Sequence, residues 1–221
     1  VGAGIMIVSQ GLDKKRYRLY SGLPVHKKRV KEAKNIICEA LKIPGEWAIS
    51  FSGGKDSTAL LHLLLECGWK GPLFHFYYAE TPTENTEMAV KLANEFNLEC
   101  HLLSVPGAFD VYKKIGRFFV WPETEAEKKA VNAMLRGYKK AVNAYVKKRS
   151  WTGQFMGLRK SESRQRSITL KKKGAIYRTR DRDLWTCCPL ANWKVEDVWA
   201  FILVNDLPIL PIYLQSDNPE R

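Results

Sequence analysis

Trp47 to Leu65 reads WAISFSGGKDSTALLHLLL, and the fold is decided there. Trp47 to Phe51 is an apolar run of strand length; after Ser52-Gly53-Gly54-Lys55-Asp56-Ser57, the residues Leu60, Leu61, Leu64 and Leu65 recur at helical spacing. The order is strand, glycine turn, helix start. Two adjacent glycines let a ligand approach the backbone, and the first turn of the following helix offers unpaired amides and the positive end of its dipole. Phosphate suits such a turn. Lys55 adds a mobile charge, the Ser52 and Ser57 hydroxyls can donate to phosphate oxygens, and Asp56 can cap the helix or hold a water or a metal.

Moving outward, Leu73 to Tyr78 (LFHFYY) has the aromatic content of a buried strand, in which His75 is expected as a packed or hydrogen-bonded core residue. Glu84 to Asn97 carries Met88, Leu92, Ala93 and Phe96 on one helical face, and Cys100 to Val105 reads as the next strand. This alternation predicts an α/β fold: a parallel twisted sheet with helices on both faces. Ligands of such sheets bind beyond the carboxyl ends of the strands, where the glycine loop and Glu80 would both fall. Glu80 is therefore a candidate for a ribose hydroxyl or a metal-bound water.

Upstream, Val30, Ala33, Ile36, Ile37, Ala40 and Leu41 predict an amphipathic helix over 25–41, with Cys38 as a core thiol. Gly2 to Gly22 is basic and glycine-punctuated, with Tyr17, Leu19 and Tyr20 as anchors, and reads as an arm or a small hairpin. Downstream, Ala108 to Trp121 reads as an irregular aromatic connection, and Glu123 to Lys148 as a long helix placed to shield one side of a cleft. A short strand over 154–158 then leads into Gly157-Leu158-Arg159-Lys160-Ser161-Glu162-Ser163-Arg164-Gln165-Arg166. Arginine forks bind phosphate or sulfate bidentately, and Glu162 can hold one guanidinium in place.

The loop Ser52-Gly53-Gly54-Lys55-Asp56-Ser57 is not a Walker loop; it resembles the Ser-Gly-Gly-x-Asp-Ser loop of N-type ATP pyrophosphatases and phosphoadenosine phosphosulfate (PAPS) reductases. Gly157, Arg159, Glu162, Ser163 and Arg166 are similar to the Gly-x-Arg-x-x-Glu-Ser-x-x-Arg signature of PAPS reductase-like proteins. Pro189 to Trp199 resembles the family's Pro-Leu-x-Asp-Trp-x-x-x-Asp-Val-Trp block, with Asn192 where the family has Asp. Ala79-Glu80-Thr81 departs from the family's Asp-Thr-Gly.

The resemblance implies an adenine nucleotide alpha-hydrolase-like, Rossmann-like fold with a basic arm at 1–24 and a nucleotide-binding catalytic domain at 25–221. It implies an adenine nucleotide (ATP, PAPS or adenylyl sulfate) as cofactor or substrate, with Mg²⁺ approached by Asp56 through a bound water. Ser52, Gly53, Gly54, Lys55, Asp56, Ser57, Glu80, Gly157, Arg159, Glu162, Ser163 and Arg166 would bind it, and Lys55, Asp56, Arg159 and Arg166 would be catalytic. The leading expectation is a PAPS reductase-like enzyme of sulfur or sulfonucleotide metabolism. The alternatives are an ATP pyrophosphatase that adenylates an acceptor in nucleic-acid thiolation or sulfate activation, and a non-catalytic nucleotide-binding subunit.

The reductases use a cysteine in a C-terminal Cys-Gly-Leu-His tail, whereas here no cysteine follows Cys188. Cys187-Cys188 lacks the downstream Cys-x-x-Cys that would complete an iron–sulfur cluster, so buried structural thiols are expected, with a thiol that accepts or relays sulfur as the alternative. The 221 residues carry 36 Lys and Arg against 23 Asp and Glu, a net +13 that favours a polyanionic partner, nucleic acid or acidic protein. No apolar run is long enough for a membrane helix, Val1 to Val8 lacks a basic leader, and the five cysteines show no paired spacing; a cytoplasmic homo-oligomer without membrane attachment is expected.

Overall fold

The computed structural model describes residues 13–179 and 183–215. The strands β1 (Trp47–Ser50), β2 (Leu73–Tyr77), β3 (Cys100–Ser104), β4 (Gly153–Met156), β5 (Ile176–Thr179) and β6 (Leu184–Cys187) form one sheet in the order β3-β2-β1-β4-β6-β5. All neighbours run parallel except β5, which pairs antiparallel with β6 at the edge. The sheet is thus mostly parallel, as the alternation predicts. β1 lies at its centre, Ile49 beside Leu73 on one side and Phe155 on the other.

The helices are α1 (Lys14–Ser21), α2 (Pro24–Leu41), α3 (Lys55–Glu66), α4 (Thr83–Glu95), α5 (Ala108–Ile115), α6 (Glu125–Arg149), α7 (Arg164–Lys173), α8 (Val195–Val204) and α9 (Ile212–Gln215). They cover both faces. On one, Ile37 of α2, Leu60, Leu61 and Leu64 of α3 and Trp199 of α8 join Ile49, Leu73 and Phe155 in the main core, each at most 1% exposed. On the other, Val142 and Val146 of α6 pack with Ala48, Phe74 and Trp151. At about 25 cal/mol per Å² of apolar surface, burying one leucine contributes roughly 2 kcal/mol. Among the described residues no helix is long and apolar enough to cross a membrane.

Three sequence expectations need correction. Residues 14–21 are not a hairpin: they form α1, capped by Asp13 and anchored by Tyr17, whose ring centroid lies 6.5 Å from that of Trp199; residues 2–12 of the expected arm lie outside the described residues. Residues 108–115 are helical, since Asp110 accepts from the Gly107 amide at 2.9 Å and Gly116, with φ of 80°, ends the helix. Cys38 is exposed, because the buried arc of α2 is the narrow line of Ala33, Ile37 and Ala40, and the next residue after Ile37 turns about 100° away.

α1 and α2 are tied to α8 through Asp197, which is fully buried. Its Oδ2 accepts from Arg29 at 2.6 Å and from the Lys194 amide at 2.7 Å, while Oδ1 lies 3.2 Å from His26 Nδ1 and 3.3 Å from the Tyr20 hydroxyl. Burial alone pushes its pKa up; the bonds from His26, the Lys194 amide and Arg29 outweigh it and hold the carboxyl below its ordinary value.

Candidate functional site

β1 ends at the centre of the sheet's carboxyl edge, and the chain turns through Ser52, Gly53 and Gly54 into α3. Gly53 has φ of 80°, and a Cβ there would stand 2.9 Å from the Asn85 backbone, so only glycine fits. The Asn85 side-chain amide donates to the Ser52 carbonyl at 2.8 Å, pinning the turn to α4. Ser57 Oγ donates to the Gly54 carbonyl at 2.8 Å and lies 3.1 Å from Ser52 Oγ, placing both hydroxyls at the mouth of the helix.

The second motif descends from β4 onto this turn. A Cβ on Gly157 would sit 3.1 Å from the Asp56 carbonyl, the mark of two backbones in close approach. Arg159 follows, 4% exposed, with Nε paired to Asp56 Oδ1 and one terminal nitrogen donating to Ser161 Oγ at 3.1 Å. Glu162 accepts from the Arg159 amide at 2.9 Å and pairs with Arg166, while Ser163 caps α7 by accepting from the Arg166 amide at 3.2 Å. Lys55, 5% exposed, holds Nζ 3.5 Å from Asp56 Oδ2.

Asp56 therefore does not cap α3: each of its oxygens faces a cation. Among the described residues no three His, Cys, Asp or Glu cluster, and with both oxygens on cations Asp56 would meet a nucleotide's Mg²⁺ through a bound water rather than directly. Its work is to fix Lys55 and Arg159.

Two cavities flank these charges. One, of about 310 Å³, is lined by Ser52, Gly54, Asp56, Ser57, Gly157 and Arg166 with the apolar Phe76, Met156 and Leu158. The other, of about 510 Å³, is lined by Lys55, Arg159, Ser161, Lys194 and Glu196; Glu162 borders both. The first is of a size, and has the mix of apolar wall and converging polar groups, typical of a small-molecule site.

Glu80 is not part of this arrangement. The turn after β2 carries it to the start of α5, where Oε1 accepts from the Ala108 amide, and it lines neither cavity. His75 is a satisfied core residue, Nδ1 2.9 Å from the Phe51 carbonyl and Nε2 3.1 Å from Thr86 Oγ1. Tyr213 is what sequence reasoning missed. Its hydroxyl accepts from the Lys55 amide at 3.2 Å and its ring lies under the Lys55 ammonium at 5.4 Å, although 158 residues separate the two. Burial keeps its pKa above the ordinary phenol value, so it stands there as a neutral hydroxyl.

Residues 46–216 match the phosphoadenosine phosphosulfate reductase domain. The chain belongs to that family. It is 26% identical over 228 residues to sulfate adenylyltransferase subunit 2 of Salmonella arizonae, covering 87% of this chain and 70% of that one. Among solved structures it is similar to PAPS reductase from Candida auris, in a phosphate complex, with a TM-score of 0.59 at 15% identity over 82% of this chain and 83% of that one. Yeast FAD synthetase in complex with FAD gives a TM-score of 0.61 at 15% identity, covering 93% and 70%. The family members share the Rossmann-like fold, and the chain is a nucleotide-binding enzyme of this superfamily.

Proposed function

We propose that the protein is an adenylyl-transferring ATP pyrophosphatase. The observation that carries this reading is the convergence of Ser52–Ser57 and Gly157–Arg166 on one cavity, with Asp56 and Arg159 in contact across 103 residues of sequence. In the proposed reaction an acceptor oxygen attacks the α-phosphorus of ATP. A new P–O bond forms, the α–β phosphoanhydride breaks, and its electron pair leaves with pyrophosphate. The amides of the turn and the hydroxyls of Ser52 and Ser57 hold phosphate oxygens, while Lys55, Arg159 and Arg166 offset the negative charge that grows on the leaving group. The acceptor enters from the larger cavity, beside Lys194 and Ser161. Magnesium carried in on the nucleotide would add Lewis-acid polarisation.

Sulfate adenylyltransferase, the name of the curated relatives, describes this same bond change. A PAPS reductase reaction has less support. It needs a thiolate at the nucleotide, and among the described residues no cysteine lines either cavity. Cys187 and Cys188 are fully buried, and burial raises both thiols, Cys188 to about 12. Five free cysteines suit a reducing cytoplasm. Isothermal titration with ATP, PAPS and adenylyl sulfate, followed by a pyrophosphate-release assay across oxyanion and nucleic-acid acceptors, tests the proposal. ATP binding with acceptor-dependent pyrophosphate release is expected; PAPS binding with sulfite release instead would overturn it.

Tyr213 gives a second test. Its hydroxyl occupies an amide of the phosphate-binding turn, so a nucleotide must displace it. Tyr213→Phe is expected to lower stability of the free protein by about 1 kcal/mol and to tighten ATP binding roughly fivefold, as a phosphate oxygen recovers the orphaned amide. Denaturant melts and calorimetry read the two effects; weaker ATP binding would mean the hydroxyl donates to the nucleotide instead.

A further inference from the structure

We propose that the solvent face of α6, with the aromatic residues just before it, is a binding surface for single-stranded nucleic acid. From Lys128 to Arg149 the helix has eight basic residues and no acidic one. All eight are exposed. Lys128 pairs with Glu125 and Arg149 with Glu99, but among the described residues Lys129, Arg136, Lys139, Lys140, Lys147 and Lys148 form no ion pair. Lys129, Arg136, Lys140 and Lys147 are spaced by seven, four and seven, which at 3.6 residues per turn sets them on one line about 27 Å long, opposite the buried Val142. Like charges at such spacing repel, so the line costs helix stability, and a polyanion laid along it relieves the repulsion.

The second observation is independent of charge. Directly before α6, Phe118, Val120 and Trp121 are 71%, 73% and 78% exposed. They do not hang from a loose loop. Phe119 between them is buried against Val111 and Ala130, Tyr112 donates to its carbonyl at 3.0 Å, and Arg117 pairs with the buried Glu127. The rings of Phe118 and Trp121 are thus presented on a fixed support. Exposed flat rings and, a few residues on in the chain, a row of cations are the two components of sequence-tolerant single-strand binding: bases stack on the rings while phosphates follow the charges.

The surface also leads to the site. α6 ends beside the amino end of β3, where Arg149 meets Glu99, its middle lines a cavity with Tyr78 and Glu80 beyond the carboxyl end of β2, and its start packs through Phe119 and Ala130 on Val111 of α5, the helix that follows β3. The aromatic platform therefore stands on the edge of the sheet that holds the glycine turn. Nothing in the inference depends on which oxygen the enzyme adenylates.

The test is fluorescence anisotropy with end-labelled 20-mers of single-stranded RNA, single-stranded DNA and the matching duplex, each over a salt series. Single strands should bind more tightly than duplex, with affinity falling as salt rises. Arg136→Ala with Lys140→Ala should flatten the log–log salt slope by about 0.7 per residue. Trp121→Ala should weaken binding about tenfold and leave that slope unchanged. Lys171→Ala with Lys172→Ala on α7 removes the same charge elsewhere and should change little. The RNA and DNA arms identify the sugar. Three outcomes overturn the proposal: an α7 effect as large as the α6 effect, duplex or a polyglutamate peptide binding as tightly with Trp121→Ala silent, or no oligonucleotide binding while calorimetry still shows ATP bound. Loss of ATP binding in the unmodified protein would count against the nucleotide reading alone.

Discussion

Arg159→Ala is expected to cut pyrophosphate release by a factor of about 10² to 10³ while the chain still folds. Arg159 is buried between the two motifs, with one nitrogen on Asp56 and another on Ser161 Oγ. Removing it takes a positive charge from the boundary of the two cavities, where charge develops in the proposed transition state. It also leaves Asp56 with Lys55 alone, 3.5 Å away, so the ammonium is drawn toward the carboxylate and away from phosphate. Arg159→Lys keeps the charge but loses the planar fork that reaches Asp56 and Ser161 together, so recovery should be partial. Circular dichroism with the release assay separates the effects. Turnover within threefold of the parent protein would remove Arg159 from the site.

Asp197→Ala should have the largest effect on stability, about 3–5 kcal/mol, because it leaves Arg29 uncompensated, removes the cap on the Lys194 amide and strips His26 and Tyr20 of a shared partner. For a chain of this size that corresponds to a fall of roughly 10 °C in melting temperature. The sign of the pH dependence follows from a folded pKa held below the unfolded value of about 4. The carboxylate's contribution is fully present above that unfolded value and is lost as pH falls through the lower folded one. The stability gap between the parent and Asp197→Asn should therefore be constant near neutrality and close below about pH 4. A gap that widened on acidification would contradict the assignment.

Much of this was legible in the chain because it is local. An apolar run, two glycines and a leucine repeat announce strand, turn and helix within nineteen residues, Trp47 to Leu65. The crowding of Arg159, Arg164 and Arg166 around Glu162 likewise marks a candidate anion-binding loop without reference to the rest. What was not legible depends on distant partners. α1 has one buried residue, Tyr17, and no apolar stripe to reveal it; it holds its place through Trp199. Tyr213 is an ordinary aromatic in sequence and meets Lys55 only because the chain beyond α8 brings α9 back over the turn. Glu80 was misplaced for a related reason. Position beyond a strand end is necessary for contact with the turn, but the α5 amide lies closer and takes the carboxylate. The antiparallel pair of β5 and β6 is not legible in the sequence: its strands are four residues each, too short for alternation to stand out.

The contact between Asp56 and Arg159 joins the two sides of β1, one reached through α3 and the other through β4. A chain in which only the first three strands have come together has the turn but not its opposing arginines. On the proposed reading, nucleotide affinity would belong to the finished sheet, and during synthesis ATP binding should not arise until residue 166 and the strands that support it have emerged.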